Sequence, residues 1–429
     1  MLWLYRLLFL PVLVVMAPAY LLRMRRRGGY GNEFAHRFGA LPRLPAKQRG
    51  RPRVWLQAVS VGEMLAVGPI IAGLRAAGAE VFLTTTTSTG RRLALDRYSG
   101  SVLGSGYFPL DARWFSARAW RRIEPDLVLL AEGERWPEHL AQAAARGVPV
   151  INFNARLSDR SYARLRRWPA AARFMFRGVT RVLACSEQDA ARFIELGVPA
   201  DRVATSGNIK LDVTIEPLTE TERIQLRREL GLGDGLVLLG SSTWPGEEAV
   251  LLAAWRAARA AGRRVTLLLV PRHAERRAEL AGWLAREPGL RSHFRSRGPA
   301  PGEVDVAVGD TTGELRKFTQ LADVVFVGKS LAPHTEGQTP VEAAALARPM
   351  VFGPGMGNFR LIARDLLARG AAVEAAEAAA LAEVLPRLLG DPAERARLAA
   401  AAAAWQTANG GAVARTLAVV TRELERLAK

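Results

Sequence analysis

The stretch VWLQAVSVGE, from Val54 to Glu63, indicates the fold of this chain. Its first six residues, Val54–Val59, are mostly apolar, which is typical of a buried strand. Ser60 and Glu63 follow at the spacing of a helix N-cap and its N3 partner, so a helix is expected to begin directly after the strand. Strand, short loop and helix in immediate succession form the repeating unit of α/β proteins with a parallel sheet.

The same alternation continues outward from this stretch, from about Gly28 to Phe352. We predict further strands at Val81–Thr85, Leu127–Leu130, Val148–Phe153, Val179–Ala184, Val203–Thr205, Leu236–Leu239, Val265–Val270, Asp305–Val308, Val324–Val327 and Met350–Phe352. We predict helices at Glu63–Ala77, Thr89–Arg97, Pro137–Ala145, Gly246–Ala260 and Val341–Ala347, and a helical alanine-rich end at Ala371–Lys429. This alternation predicts doubly wound parallel sheets.

A length of 429 residues, interrupted by the polar stretch 208–221, predicts two similar α/β domains that face a central cleft. We expect a membrane anchor at 1–27, a first domain at 28–207, a linker at 208–221, a second domain at 222–400 and a C-terminal helix at 401–429. The alanine-rich end Ala371–Lys429 is expected to pack across both halves. The single cysteine, Cys185, excludes an intramolecular disulfide and a cysteine-based zinc cluster.

The net charge of +19 is concentrated in two stretches. Residues 1–53 carry a net charge of +10 and residues 156–181 carry +7, so the rest of the chain is close to neutral. A nucleic-acid-binding domain usually spreads its charge over a whole face. Two concentrated patches favour docking to an anionic partner at a fixed place, although a solvated basic surface remains an alternative for the second patch.

The first patch follows an apolar segment, Leu2–Leu22, that is just long enough to cross a bilayer. Arg23, Arg25, Arg26 and Arg27 come directly after it, whereas a secretory signal carries its charge in front. The positive-inside rule then predicts an outward N-terminus and a cytoplasmic body. A single-span anchor, a shallow interfacial helix and a cleaved signal are the possible interpretations. Either of the first two places arginines on the anionic headgroups of the inner leaflet.

Two loops of the first half carry candidate chemistry, since ligands of open α/β sheets bind at the carboxyl ends of the strands. In the loop Ser60–Glu63, Glu63 is either a helix cap or a general base, and the two roles compete; Gly62 would allow close approach of a substrate. The sequence Glu132-Gly-Glu-Arg-Trp-Pro137 places two carboxylates beside an aromatic residue. A solvated helix start is the alternative for Glu134.

Two loops of the second half also follow predicted strands. Gly240–Glu248 offers Ser242, Thr243 and the N-terminal N–H groups of a helix to an anion, although ordinary helix starts share this pattern. The run Gly328–Glu342 ends in Pro-x-Glu at a helix start, which is typical of nucleotide-sugar transferases with two Rossmann-like domains. There the glutamate, here Glu342, accepts hydrogen bonds from ribose hydroxyls.

Six motifs together resemble those of the 3-deoxy-D-manno-octulosonic acid (Kdo) transferase family. They are Ser-Val-Gly-Glu (60–63), Asn-Ala-Arg-Leu-Ser (154–158), Gly-Asn-Ile-Lys-Leu-Asp (207–212), Val-Pro-Arg-His (270–273), Val-Gly-Asp-Thr-Thr-Gly-Glu-Leu (308–315) and Pro-Val-Glu-Ala (340–343). The resemblance implies a GT-B fold whose N-terminal half binds a lipid A precursor and whose C-terminal half binds CMP-Kdo. It implies an inverting transfer of Kdo to a sugar hydroxyl of the tetraacyl precursor, in lipopolysaccharide biosynthesis.

The resemblance also implies roles for individual residues. The family's base corresponds to Glu63, with Ser60, Gly62, Glu134 and Arg156 on the acceptor side. The donor-side residues are Lys210, Ser242, Thr243, Arg272, His273, Glu314, Gln338, Thr339, Glu342 and Asn358. This chain departs from the common Gly-Gly-His-Asn-Pro at Glu336–Pro340, and from the common Ser-Thr-His at Ser242-Thr243-Trp244.

The residues fit this reaction, because a sugar hydroxyl needs a base and departing CMP needs cations and helix N–H groups. The sequence contains no Asp-x-Asp with a plausible metal role, so we expect no metal and no cofactor, CMP-Kdo being a substrate. We expect an enzyme at the cytoplasmic face of the inner membrane, with no nucleic-acid partner. The alternatives are another GT-B transferase or epimerase that uses a UDP-sugar, and a membrane-tethered nucleic-acid binder.

Overall fold

The computed structural model describes residues 1–26 and 31–428, which form two compact units. Unit 1 comprises Met1–Asp212 and Asn409–Lys429, and unit 2 comprises Val213–Ala408. Each unit contains one seven-stranded sheet in which every neighbouring pair of strands is parallel. The predicted α/β class with two Rossmann-like domains is confirmed.

The sheet of unit 1 has the strand order β3-β2-β1-β4-β5-β6-β7. Its strands are β1 (Arg53–Gln57), β2 (Glu80–Thr85), β3 (Gly104–Tyr107), β4 (Leu127–Ala131), β5 (Val150–Ala155), β6 (Arg181–Ala184) and β7 (Val203–Thr205). The α-helices of this unit are α1 (Leu2–Arg26), α2 (Val61–Ala66), α3 (Gly68–Ala76), α4 (Ser88–Tyr98), α5 (Arg113–Ile123), α6 (Pro137–Ala145), α7 (Asp159–Arg167), α8 (Pro169–Phe176), α9 (Glu187–Glu195) and, from the C-terminus, α18 (Ala412–Ala428).

The sheet of unit 2 has the order β10-β11-β9-β8-β12-β13-β14. Its strands are β8 (Leu236–Thr243), β9 (Val265–Pro271), β10 (Ser292–Phe294), β11 (Val306–Val308), β12 (Val324–Val327), β13 (Met350–Phe352) and β14 (Val373–Glu374). Its helices are α10 (Glu220–Leu230), α11 (Glu247–Ala260), α12 (Arg277–Leu284), α13 (Leu315–Leu321), α14 (Val341–Ala345), α15 (Arg360–Ala368), α16 (Ala378–Gly390) and α17 (Pro392–Asn409).

Each sheet is covered on both faces, as parallel sheets require. In β1, Trp55 belongs to one hydrophobic cluster, whereas its neighbours Val54 and Leu56 belong to another. Successive side chains of a strand point to opposite faces, so these two clusters are the two faces of one sheet. Unit 2 has a core of its own, which includes Leu238, Leu267 and Phe326.

The observed elements differ from the predicted ones at several places. The predicted helix Glu63–Ala77 is two helices. Pro69 lies in the first turn of α3, where backbone N–H groups have no partner within the helix, so the N–H that proline lacks is not missed. Strands β3, β10 and β14 were not predicted. The alanine-rich end is therefore not helical throughout: Val373–Glu374 forms the edge strand β14, and two helices occupy the range predicted as one helix at 401–429.

The C-terminal helix α18 lies in unit 1, where its Leu417 packs against α3 at Gly73. A Cβ atom on Gly73 would come within 2.3 Å of the Leu417 side chain, so glycine permits this close approach. The carboxylate of Asp212 accepts hydrogen bonds from the N–H groups of Gly411 (2.9 Å) and Val413 (2.7 Å) and thereby fixes the start of α18. The first unit thus extends to Asp212 rather than to residue 207.

The predicted anchor forms the long helix α1, and Arg27, which ends the predicted segment, lies outside the described residues. Leu2–Leu22 has a mean hydropathy of 1.9 and is, by length and composition, long and apolar enough to cross a membrane. Tyr5 Oη donates to Asp111 Oδ2 (2.7 Å), and Arg6 Nε donates to Glu138 Oε2 (2.6 Å). The first turns of α1 therefore contact the body of unit 1.

Candidate functional site

The strand orders identify one crevice in each sheet. In unit 1 the chain proceeds outward from β1 through β2 to β3 and then returns to place β4 on the other side of β1. In unit 2 the same reversal separates β8 from β12. Open α/β sheets bind ligands at such a reversal, at the carboxyl ends of the strands. The loops that follow β1, β4, β8 and β12 are the four that carry the predicted chemistry.

Glu63 lies at the crevice of unit 1, in the first turn of α2 after β1. Its Oε2 accepts from the N–H of Val59 (3.0 Å) and its Oε1 from Ser60 Oγ (2.9 Å), while Ser60 Oγ accepts from the N–H of Glu63 (3.2 Å). The residue is only 8% exposed. A carboxylate has about four acceptor positions, and these contacts use two of them. Capping therefore leaves Glu63 able to accept a proton without leaving its cap.

Glu134 follows β4 on the other side of the crevice. Its Oε2 accepts from Trp136 Nε1 (2.8 Å) and from Gln57 Nε2 (3.4 Å). Burial raises the pKa of Glu134 above its ordinary value, and the charge of Glu63 raises it further. Trp136 and Gln57 oppose this rise by donating to the carboxylate. The environment of Glu134 is thus a half-buried, hydrogen-bonded one and not that of a solvated helix start.

Glu132 forms the centre of a charged group beside these two residues. Its carboxylate pairs with Lys210 Nζ and lies 3.8 Å from Arg156 Nε. Asn154 Nδ2 also approaches it, at 3.4 Å. A Cβ on Gly62 would lie 3.9 Å from Lys210 Nζ, so the bare face of Gly62 is turned toward this ammonium group.

Lys210 was assigned to the donor side, but the structure places it in unit 1. The chain leaves unit 1 only after Asp212, and the ion pair with Glu132 holds the ammonium group next to the loops of Glu63 and Glu134. Lys210 therefore belongs, by position, with the acceptor-side residues.

Cys185, close to the same group, donates its thiol to Asn154 Oδ1 (3.2 Å). Burial raises the pKa of the thiol to about 12. Because the thiolate is the reactive form, burial of Cys185 disfavours reaction of this thiol at neutral pH.

In unit 2, Glu247 joins the two loops at the crevice. Its carboxylate accepts from the backbone N–H groups of Trp244 (2.9 Å), Lys329 (2.9 Å), Ser330 (2.9 Å) and Leu331 (3.3 Å). Ser242, near the end of β8, and Lys329, on the loop after β12, both adopt a positive φ, of 55° and 59°. Non-glycine residues adopt such angles mainly where surrounding structure holds them, often at functional sites.

Trp244, the departure from the common Ser-Thr-His, lies among basic side chains from two other loops. Its ring centroid is 4.2 Å from Lys329 Nζ, 5.3 Å from the ring of His273 and 5.5 Å from the ring of His334. Lys329 Nζ also pairs with Glu336 (3.3 Å). Of these residues only His273 is predicted from the sequence; Lys329, His334 and Glu247 are not, because the contacts that join them link separate loops.

The remaining residues near the β8 end fall into a buried and an exposed set. Thr243 is fully buried, and its Oγ1 has no hydrogen-bond partner among the described residues. Arg272 and His273 are exposed at the end of β9, where the N–H of Arg272 donates to the carbonyl of Thr243 (3.1 Å). The structure thus brings Ser242, Thr243, Arg272 and His273 together.

Gln338, Thr339 and Asn358 lie on loops that hydrogen-bond to each other through the backbone. The N–H of Gln338 donates to the carbonyl of Gly328 (3.0 Å), and the N–H of Asn358 donates to the carbonyl of Glu336 (2.8 Å). Thr339 Oγ1 accepts from the N–H of Val341 (3.3 Å) at the start of α14. The loop Gly328–Glu342 is thereby held at both of its ends.

Glu314 and Glu342 each contact an arginine. Arg295 Nε donates to Glu314 Oε2 (3.3 Å), and Arg316 Nε donates to Glu342 Oε1 (3.1 Å). Burial alone would raise the pKa of Glu314, but hydrogen bonds from Thr311 and Arg295 lower it below its ordinary value. Glu314 is thus an ionised acceptor. Between residues 1 and 428, leaving out 27–30, no group of three His, Cys, Asp or Glu side chains could hold a metal ion.

Comparisons with known proteins agree with the motifs. The family described as 3-deoxy-D-manno-octulosonic-acid transferase (kdotransferase) matches residues 32–213. The 3-deoxy-D-manno-octulosonic acid transferase of Bordetella pertussis is 38% identical over 92% of this chain and 93% of that protein. The protein of the same name from Haemophilus influenzae is 32% identical over 97% of this chain and 95% of its own length.

A solved structure resembles the fold alone. The UDP-GlcNAc 2-epimerase from Neisseria meningitidis superposes with a TM-score of 0.56, at 13% identity, over 87% of this chain and 100% of that chain. The sequence relatives are evidence for the family as well as for the fold, because two of them exceed 30% identity over almost the full length of both chains. This protein therefore belongs to the Kdo transferase family and is a Kdo glycosyltransferase.

Proposed function

We propose that this enzyme transfers Kdo from CMP-Kdo to a sugar hydroxyl of the tetraacyl lipid A precursor, with inversion, at the cytoplasmic face of the inner membrane. The observation that carries the proposal is Glu63, a largely buried carboxylate with free acceptor positions at the strand crossover of unit 1. A sugar hydroxyl becomes a competent nucleophile at neutral pH when such a base accepts its proton. Attachment through the N-terminal apolar segment would hold the enzyme at the membrane, where a phosphorylated glycolipid acceptor also resides.

In the proposed reaction, Glu63 takes the proton of the acceptor hydroxyl while the oxygen of that hydroxyl attacks the anomeric carbon of Kdo. The new glycosidic bond forms while the bond from that carbon to the phosphate oxygen of CMP breaks, and CMP departs with the electron pair. Ser60 and the N–H of Val59 orient the base through the contacts described above. Glu134, Arg156 and Lys210 surround the acceptor, and their two cations suit its phosphates.

The donor is proposed to bind unit 2. Ser242, Thr243, Arg272 and His273 lie together at the end of β8 and β9, and cations and hydroxyls there would stabilise the charge that develops on departing CMP. Glu342 and Glu314 are proposed acceptors for donor hydroxyls, and Gln338, Thr339 and Asn358 line the adjoining loops. No divalent metal and no cofactor enter the proposal, and no nucleic acid is a partner.

The overall reaction is tested by incubating the full chain with CMP-Kdo and purified tetraacyl precursor and weighing the products by mass spectrometry. The expected product is heavier than the precursor by one or more Kdo residues. A precursor that remains unmodified in this incubation would overturn the proposal.

The donor side is tested by nucleotide titration. We expect CMP to bind more tightly than UMP or UDP, equally well with added magnesium or with EDTA. Because charge-assisted hydrogen bonds contribute about 1.5–3 kcal/mol each, Glu342→Ala should weaken CMP at least tenfold. Glu303→Ala, an exposed glutamate of the same unit, is the matched control. Tighter binding of UDP than of CMP would contradict the donor assignment.

A further inference from the structure

Helix α1 contacts the body of unit 1 near both of its ends, at Tyr5, Arg6 and Tyr20. Its half-buried residues recur at spacings of three and four from the first turn to the last: Leu2, Tyr5, Arg6, Phe9, Leu10, Leu13, Ala17 and Tyr20. At 3.6 residues per turn these residues form one stripe along the helix. One side of α1 therefore faces unit 1 over some five turns.

The N-terminal end of the stripe is fixed by buried carboxylates. Asp111 accepts from Tyr5 Oη, and Glu138 accepts two hydrogen bonds from Arg6, at 2.6 and 3.2 Å. Asp111 is 1% exposed and Glu138 is fully buried, so both carboxylates belong to the folded body of unit 1. The ring of Tyr5 also packs against Phe174 of α8, at 5.8 Å between centroids.

The C-terminal end of the stripe contacts the same unit. Arg37 Nη2 lies 3.4 Å from Tyr20 Oη, and Tyr20 packs against Tyr107 of β3. Tyr5 and Tyr20 are separated by about 22 Å along a helix with a rise of 1.5 Å per residue. Both of these tyrosines, near the two ends of α1, therefore contact the same unit.

The opposite side of α1 is apolar and exposed. Its large exposed side chains are Trp3, Leu4, Leu7, Leu8, Val12, Val14, Val15, Met16, Leu21 and Leu22. An apolar surface of this size is unusual in water and marks a contact with a membrane or a protein. The contacts at both ends exclude a conventional span: a helix crossing the core of about 30 Å would draw Asp111 and Glu138 into hydrocarbon.

A basic helix directly precedes the helix that the ring of Tyr5 contacts. Helix α8, which carries Phe174, directly follows α7, and α7 has no buried residue. Arg160, Arg164 and Arg167 are exposed at spacings of four and three, on one side of α7, and Trp168 follows with 69% exposure. Arginine and tryptophan together are suited to the headgroup level of an anionic membrane.

We propose that α1 is a monotopic helix that lies in the plane of an anionic bilayer, clamped to unit 1 at Tyr5, Arg6 and Tyr20, with its apolar side in the acyl region and the arginines of α7 on the headgroups. Both ends of α1 then stay on the side of the membrane that holds the enzyme. This inference rests on the membrane attachment in the proposed function and is independent of the chemistry.

The depth of α1 distinguishes this arrangement from a span. Leu4, Val12 and Leu22 are each replaced by cysteine in a Cys185→Ala background, labelled with a fluorescent probe, and bound to vesicles of three parts phosphatidylcholine and one part phosphatidylglycerol. Quenchers at two depths in the acyl chains then report each position. We expect the three depths to agree within a few Å.

A spanning helix would place Val12 near the bilayer centre, about 10 Å deeper than both other positions. That gradient would overturn the inference while leaving membrane attachment intact. Co-sedimentation of the same labelled proteins measures attachment separately, and failure to sediment would overturn attachment and inference together.

The contribution of α7 is tested with charge variants. Arg160, Arg164 and Arg167, all replaced by Gln, should weaken binding to the phosphatidylglycerol vesicles at least tenfold and leave binding to pure phosphatidylcholine unchanged. The matched control replaces Arg286, Arg364 and Arg387 of unit 2 by Gln, which removes the same charge. Equal losses in the two triple variants would overturn the role of α7.

Discussion

Glu63 caps α2 and, in the proposed reaction, is also the general base, and an isosteric replacement separates the two roles. Glu63→Gln retains an oxygen for the N–H of Val59 but cannot take a proton. We expect transfer to fall by about 10²–10⁴-fold, with CMP affinity unchanged because the residue belongs to unit 1. Initial rates by product mass spectrometry and CMP titration measure the two quantities. A variant that keeps most of its rate would leave capping as the only role of Glu63.

Asp111 predicts a pH dependence of stability. Burial, its largest influence, raises its pKa from 3.8 to about 7, although hydrogen bonds from Glu138, Tyr5 and His139 oppose this. An acid whose pKa is raised in the folded state contributes stability that is complete below the unfolded pKa, near 4, and is lost as pH rises through about 7.

The measurement is urea unfolding of the wild type and of Asp111→Asn between pH 4 and pH 8.5. As the pH rises over this range, the free energy of unfolding of the wild type should fall by on the order of 2–4 kcal/mol relative to that of the variant. His139, whose pKa burial lowers to about 3, destabilises the fold as pH falls below 6.5. Because His139 lies 3.9 Å from Asp111, its titration is coupled to that of Asp111, and the decisive range is therefore above pH 6.5, where His139 is neutral in both states. A difference that does not vary with pH would contradict the prediction.

Among the elements, α18 depends on a single capping residue. Asp212→Ala removes the acceptor for the N–H groups of Gly411 and Val413, which should cost about 1–2 kcal/mol of stability. Hydrogen exchange should accelerate in α3 and α18 and stay unchanged in α11 of unit 2. Asp234→Ala, an exposed aspartate of unit 2, should leave α3 and α18 unaffected. Equal acceleration in both variants would contradict the role of Asp212.

The elements also show how far sequence reasoning reaches. Strand β12 and helix α6 have the bounds that were predicted, because apolar runs and the Pro137 start mark them locally. Strand β3 was not predicted because its sequence, Gly-Ser-Gly-Tyr, has no apolar run. A Cβ on Gly104 would lie 3.3 Å from Phe82, a tight contact with a neighbouring strand that leaves no local pattern in the sequence.

In the candidate sites, too, features that local sequence marks were predicted and features that depend on long-range contacts were not. Glu63 and Glu134 were predicted because each directly follows a recognisable strand. The partner of Lys210 could not be predicted, since Glu132 is distant in sequence and only the fold brings the two together. The pairing of Tyr5 with Asp111 is likewise a long-range contact, and hydropathy alone treats α1 as a free segment.

For the whole molecule, the two units should respond separately to the nucleotide. At one hundred times its Kd, CMP stabilises the state that binds it by about 2.7 kcal/mol. Amides of 241–245 and 328–339 should then exchange more slowly, by up to about 100-fold, while those of 58–63 and 132–136 stay unchanged. Hydrogen exchange with mass spectrometry provides the comparison. Protection confined to the loops of unit 1 would contradict the assignment of CMP to unit 2.

The return of α18 to unit 1 has a consequence for the newly made chain. Residues 213–408 separate the sheet of unit 1 from the helix that completes one face of its core. At about 5–20 residues per second, a ribosome needs on the order of 10–40 s to translate that insertion. During this time α3 has no Leu417 to pack against at Gly73. A premature stop near codon 409 would thus leave unit 2 complete and deprive unit 1, which is translated first, of its last helix.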